Sequence, residues 1–243
     1  NKDRVQRIFE RTDVDQLLVC EPMAVYYLLG KMFHPGERFL GVLLRRDKEA
    51  VLYVNALFRF EEDLQIRKEY FTDTDDIVEL LSKEIDSTKV LGVDKTLTAN
   101  FLLPMMERKI ASGFVNGSLA VDLTRAVKDP KEIELMRASS HINDLAMAEF
   151  KKLIHEGVTE IEVADQMLDI YKKLGAEGYS FEPIVAFGDN AADPHHGPDS
   201  TVLKEGDIVL FDVGCTYHGY CSDMTRTFFY KKYPDAEAER VYN

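Results

Sequence analysis

The chain has 243 residues, 45% of them hydrophobic and 30% charged, which excludes a mainly disordered protein and leaves room for two domains. Its 30 basic and 43 acidic side chains give a net charge of −13, a balance that repels phosphate backbones and anionic lipid and so argues against nucleic-acid and membrane-surface partners. No apolar run reaches the length of a membrane span, and three cysteines, Cys20, Cys215 and Cys221, do not make a secreted disulfide framework, so a cytoplasmic protein is expected.

In chain order, residues 16–20 form a short apolar run that predicts a strand. Residues 39–44 and 50–54 flank the polar stretch 45–49 and predict a hairpin. Residues 54–90 are polar and helix-prone, most clearly over 77–85. Residues 90–93 predict a buried strand, with weaker strand signals at 114–115 and 119–121. Together these predict an α/β domain over residues 1–128.

Asp129-Pro130 marks the junction, placing a capping residue ahead of a proline at the first helical position. Leu135, Ala138, Ile142, Leu145, Ala146, Phe150 and Leu153 then recur at helical spacing, and Gly157 is a natural stop. Thr159 with Glu162 forms a capping box that opens a second helix ending near Gly175. Strands are expected at 183–186, 208–213 and 223–230. Residues 129–243 therefore predict an α+β domain, two amphipathic helices covering a largely antiparallel sheet.

Asp212 is the one residue of the 208–213 run that is not apolar, and a carboxylate there is costly unless paired or bound to a cation. A hairpin symmetric about Tyr217-His218 pairs residues whose numbers sum to 435, which sets Asp212 directly opposite Asp223. Like charges so placed call for a divalent metal between them. The alternative makes one Asp a turn or edge residue and pairs the other with Arg226; Gly214 and Gly219 also permit a longer loop or a bulge. Thr225 shares strand parity with Asp223 and is expected to orient that carboxylate. Upstream, His195 and His196 sit in a Pro- and Gly-bounded loop over 190–197, as proton carriers or as solvated surface residues. Cys215 and Cys221 read as small residues on neighbouring strands.

The segments FEPIVAFGDNAADPHHGPDS, GDIVLFDVGC and YHGYCSDMTRTFF resemble, in order and spacing, the pita-bread metallopeptidases, among them the Xaa-Pro dipeptidases (prolidases) and Xaa-Pro aminopeptidases. The front half resembles their creatinase-type N-terminal domain. The resemblance implies a creatinase-like α/β domain followed by a pita-bread domain. Asp212 and Asp223 match the ligands of two divalent ions, Mn, Co or Zn, and His195 matches the substrate-contacting catalytic His, with His196 a weaker candidate. Phe181, fourteen residues before His195, is expected either to wall the proline pocket or to pack in the core. The implied homodimer would bring Arg38, in the polar loop over 31–38, to the substrate carboxylate.

The implied reaction is hydrolysis of the bond preceding proline in a dipeptide. The alternatives are an aminopeptidase acting on longer peptides, and a metal-free peptide-binding module or creatinase-like enzyme. The family completes its ligands with one His and two Glu on later strands, so the sequence resembles the first two-thirds of such an enzyme. Activity is therefore expected of a full-length protein. Residues 1–243 alone are expected to be inactive, to bind Mn²⁺ poorly and, through an exposed apolar edge over 223–230, to aggregate unless another chain supplies the missing strands.

Overall fold

A computed structural model of the protein describes residues 2–243. The chain divides into two compact units, Asn1–Val127 and Lys128–Asn243, with Asn1 itself outside the described residues.

The first unit runs α1 (Lys2–Phe9), β1 (Gln16–Val19), α2 (Pro22–Leu29), β2 (Leu40–Arg45), β3 (Lys48–Asn55), β4 (Arg67–Phe71), α3 (Ile77–Ser82), β5 (Val90–Val93), α4 (Ala99–Glu107), β6 (Gly113–Asn116) and α5 (Ser118–Ala126). Its strands form one mixed sheet in the order β4-β3-β2-β1-β5-β6. β1 and β2 are buried throughout, because apolar clusters cover both faces of the sheet. Ile8, Val25 and Val121 of the flanking helices pack on one face, Leu81 and Met105 on the other.

The predicted hairpin is present with a shorter turn, Arg46-Asp47. Residues 119–121, expected as a weak strand, lie instead in α5. Ala120, Val121 and Thr124 are buried while Leu119 and Leu123 are exposed, a helical spacing that the short apolar run concealed. β4 escaped the sequence pattern because RKEYF is a polar edge strand, buried only at Phe71.

The second unit opens with the two expected helices, α6 (Pro130–Phe150) and α7 (Glu160–Lys173), each behind a capping box, Asp129 with Glu132 and Thr159 with Glu162. Then come β7 (Gly178–Tyr179), β8 (Ile184–Phe187), β9 (Ile208–Val213), β10 (Cys215–Tyr217), β11 (Tyr220–Cys221), β12 (Met224–Phe229) and α8 (Ala236–Tyr242). The strands form two antiparallel sheets, β11-β10-β7 and β12-β9-β8. β9 alternates as a half-covered strand should: Val209, Phe211 and Val213 are fully buried against Phe150, Met167 and Tyr171, while Ile208, Leu210 and Asp212 face the other way.

The long hairpin from β9 to β12 turns at His218-Gly219, not at Tyr217-His218. Both turn residues have positive φ, 47° and 75°, the signature of a two-residue primed turn whose twist matches that of the strands. Tyr217 pairs with Tyr220 and Thr216 with Cys221, so paired residues sum to 437. The three cysteines are unbridged, and Cys215 is buried on the strand next to Cys221. β12 is an edge strand as expected, but its aromatics are partly covered. Phe228 packs edge-on against Phe211, and Phe229 meets Tyr233 and Tyr242 edge-to-face at ring separations of 5.1 and 5.5 Å. No helix among the described residues is long and apolar enough to cross a membrane.

Candidate functional site

The one-residue displacement of the turn changes the expected site. β9 and β12 also pair at a sum of 437, so Asp212 faces Thr225 rather than Asp223. Thr225 Oγ1 donates to Asp212 Oδ1 at 3.0 Å, and the hydroxyl expected to orient Asp223 therefore orients Asp212. Asp223 precedes β12 at the break between the two sheets. The pairs Cys215–Ser222 and Val213–Met224 bracket it opposite Gly214, on the same face as Thr225 and diagonal to Asp212. Diagonal neighbours stand roughly 7–8 Å apart, close enough for two carboxylates to share a pair of cations without direct opposition.

Asp212 is half-buried with Thr225 on one of its oxygens, and Asp223 is exposed. Hard carboxylate oxygens on one open sheet face are the donor type that suits divalent ions, and these two could supply part of a coordination shell. Arg226 lies on the other face, opposite Phe211, and its Nη1 donates to the Thr225 carbonyl, so the alternative in which it neutralises Asp223 falls away.

Ile184 of β8 pairs with Asp212 from the other side. Ile184 also lines a cleft of about 730 Å³ together with Phe181, Leu168 and His195, so the cleft borders the carboxylate face. Phe181 is half-buried and lines this cleft. His195 is exposed, and its backbone N–H is held by Asp193 Oδ1 at 2.9 Å.

His196 is placed differently from its neighbour. Its side chain is 12% exposed and its Nε2 lies 2.6 Å from Glu160 Oε2, so the ring is tied inward, while the residue also lines the cleft beside His195. Arg38 lies in the first unit. Its guanidinium forms a two-pronged pair with Asp73, Nε to Oδ1 and Nη2 to Oδ2 both at 3.0 Å, and the Arg38 hydrogen bond holds the Asp73 carboxyl below its usual range. The expected carboxylate-binding fork is thus already filled by a carboxylate of its own unit.

Glu160 escaped the sequence reading. It sits in a helical first turn where an acid is unremarkable. Yet Glu160, Val163, Met167 and Tyr171 form one buried stripe, and a carboxylate on such a stripe was the available signal.

Residues 134–243 match Metallopeptidase family M24, and residues 2–127 match the Creatinase/Prolidase N-terminal domain. An uncharacterized peptidase of Staphylococcus aureus (strain USA300) is 33% identical over 241 residues, which cover 94% of this chain and 65% of the relative. The chain thus spans 65% of the length of the curated relatives it matches. Among solved structures, the prolidase from Pyrococcus horikoshii OT3 superposes with a TM-score of 0.85 at 27% identity, over 99% of this chain and 68% of that one. The Xaa-Pro dipeptidase from Bacillus anthracis superposes at 0.86 with 26% identity, over 100% of this chain and 68% of that one.

Proposed function

The chain belongs to metallopeptidase family M24 and carries that family's creatinase-type N-terminal domain, and from that premise we propose that the whole protein hydrolyses the peptide bond preceding proline in Xaa-Pro dipeptides. The reading is carried by one juxtaposition: Asp212 and Asp223 share a sheet face bordered by the cleft that holds His195 and Phe181. It draws further support from the likeness to the two structures named prolidase and Xaa-Pro dipeptidase.

Asp212 and Asp223 would hold two divalent ions, Mn, Co or Zn, which when bound supply Lewis acidity and a water of lowered pKa. Thr225 keeps the Asp212 carboxylate in one orientation by donating to one of its oxygens. His195 would donate to the scissile carbonyl oxygen or pass a proton to the leaving nitrogen, and Phe181 would wall the rigid proline ring. The unbridged cysteines suit a reducing compartment.

The test assays the whole protein with Mn²⁺ on Xaa-Pro and on Xaa-Pro-Yaa, before and after exhaustive chelation. Cleavage of the dipeptide that disappears on chelation is expected, and preference for the longer peptide would instead identify an aminopeptidase. His195→Ala should lower kcat by roughly 10²–10³ while bound metal stays the same. Hydrolysis that survives chelation would overturn the metal-dependent reading.

A further inference from the structure

Glu160, the first residue of α7, is completely buried, and both of its carboxylate oxygens are hydrogen-bonded. Its Oε1 accepts from the Phe187 backbone N–H at 2.7 Å and from Asn190 Nδ2 at 3.0 Å. Its Oε2 accepts from His196 Nε2 at 2.6 Å and from the Asp199 backbone N–H at 3.0 Å. Backbone bonds add to this: Glu160 N–H donates to the Thr201 carbonyl and Ile161 N–H to the Asp199 carbonyl. The loop from 187 to 201 is therefore wrapped around the start of α7 and fastened at both ends and near its middle. His195 lies on this loop, next to the fastened His196.

Ligand atoms of Glu160, His196 and Asp199 all lie within 4.8 Å of one another, a grouping that also suits a cation. The bonding decides between the two. A carboxylate offers about four lone-pair sites. Four N–H donors already fill those of Glu160, and a cation would have to strip donors from a buried charge, leaving them unsatisfied at about 1–3 kcal/mol each.

We propose that Glu160 is the positioning residue of the catalytic loop. Its buried carboxylate fixes the His196 ring and the loop backbone, and through them holds His195 at the mouth of the cleft. The catalytic half of this inference rests on the peptidase reading, whereas the clamp itself does not. Residues that hold a reacting group earn their effect through geometry, and a displacement of about 1 Å can cost up to 10²-fold in rate.

Two measurements test it. The first needs no activity. Proton–nitrogen spectra of the histidine rings in the 243-residue chain should show a low-field, exchange-protected Nε2–H for His196. Glu160→Gln should abolish that signal and move the His195 ring resonances, while circular dichroism stays native. Unmoved histidine signals in folded Glu160→Gln would overturn the clamp. So would Mn²⁺ alone, added to the Asp212→Asn chain, selectively broadening His196 in a way that Glu160→Gln removes, because the cluster would then be a cation site. Should Glu160→Gln fail to fold, His196→Ala and His196→Gln take its place. Gln can still donate to Oε2, so it should keep the His195 ring near its native shifts where Ala does not; identical spectra for the two would overturn the clamp.

The second measurement is kinetic, in the whole protein. Glu160→Gln should lower kcat about 10–100-fold with KM changed less than about threefold. On a His195→Ala background the same change should cost no more than about threefold. Equal losses with and without His195 would show that Glu160 does not act through it. A whole protein without Xaa-Pro hydrolysis, but with the His196 signal lost in Glu160→Gln, would overturn the peptidase reading and leave the clamp standing.

Discussion

Gly214 shows how much of the site depends on a missing side chain. A Cβ there would lie 2.1 Å from the Ser222 carbonyl oxygen, 2.2 Å from Ser180 Oγ and 2.8 Å from the Phe181 ring. Those three groups cannot all retreat, because Ser180 Oγ donates to the Ser222 carbonyl and Ser180 N–H donates to the Gly214 carbonyl. Glycine at this position lets the segment leading to Asp223, and the Phe181 wall, close onto the strand that carries Asp212. Gly214→Ala should therefore cost about 3 kcal/mol in urea unfolding, the upper end of ordinary overpacking, since backbone rather than a flexible tip must move. Gly178→Ala is the control, with nothing within 4 Å of its Cβ position and an expected change within about 0.5 kcal/mol. Equal effects at the two glycines would remove the steric explanation.

At the scale of elements, a buried polar relay sets β9 against the helices. Tyr171 of α7 donates its hydroxyl to Asn143 Oδ1 at 2.6 Å, and Asn143 of α6 donates to the Val213 carbonyl at 3.2 Å. Ser139, one turn earlier on α6, donates to the Cys215 carbonyl at 3.1 Å. All three side chains are fully buried. Burial pushes the Tyr171 phenol far above its ordinary range, so it remains a hydroxyl donor at any working pH. Sliding β9 by one residue would break these bonds and turn Asp212 into the core, so the relay and the pleat enforce the same register. Asn143→Ala orphans the Tyr171 hydroxyl and strips the Val213 carbonyl of its bond to the helix, leaving it only its ladder partner Met224, and should cost about 1–3 kcal/mol, Tyr171→Phe about 1–2 kcal/mol. The double variant should be less destabilised than the sum of the two, and strict additivity would argue against a coupled relay.

Over the whole molecule, charge pairs of the first unit should make it sensitive to acid. There Glu84 receives Arg67 and Arg45, Asp15 receives Lys89 and Arg46, and Asp76 receives Arg108. Hydrogen bonding to Arg67 lowers the Glu84 carboxyl below its usual range, as Lys89 does for Asp15 and Arg108 for Asp76. A carboxyl lowered in the folded state contributes its stability above its unfolded pKa, about 4 for Asp and Glu, and loses it as pH falls through the lower folded value. Urea unfolding of the first unit should be nearly flat from pH 7 to about 5 and should weaken steadily below about pH 4. Glu84→Gln should reduce that acid slope while lowering stability at pH 7. A slope unchanged by Glu84→Gln would place the acid sensitivity elsewhere.

Features that depend on neighbours along the chain were legible in the order of the amino acids. Asp129-Pro130 and the pair Thr159–Glu162 start α6 and α7 where expected, because a cap is closed by N–H groups within the next turn. Residues 90–93 formed a strand at the expected limits because an apolar run that short between polar residues has few other uses. Asp212 stood out as a lone carboxylate in an apolar strand, and the motifs around it were enough to identify the family. What lay across Asp212 was decided only in three dimensions. One residue of difference in the turn, where His218 and Gly219 both adopt positive φ, moved Thr225 opposite Asp212 and set Asp223 on the diagonal. Local sequence allowed either turn, and only the pairing of whole strands chose between them. Glu160 and its loop are the further case. The donors that fill its carboxylate lie 27–39 residues away along the chain, and no local pattern announces a bond across that distance.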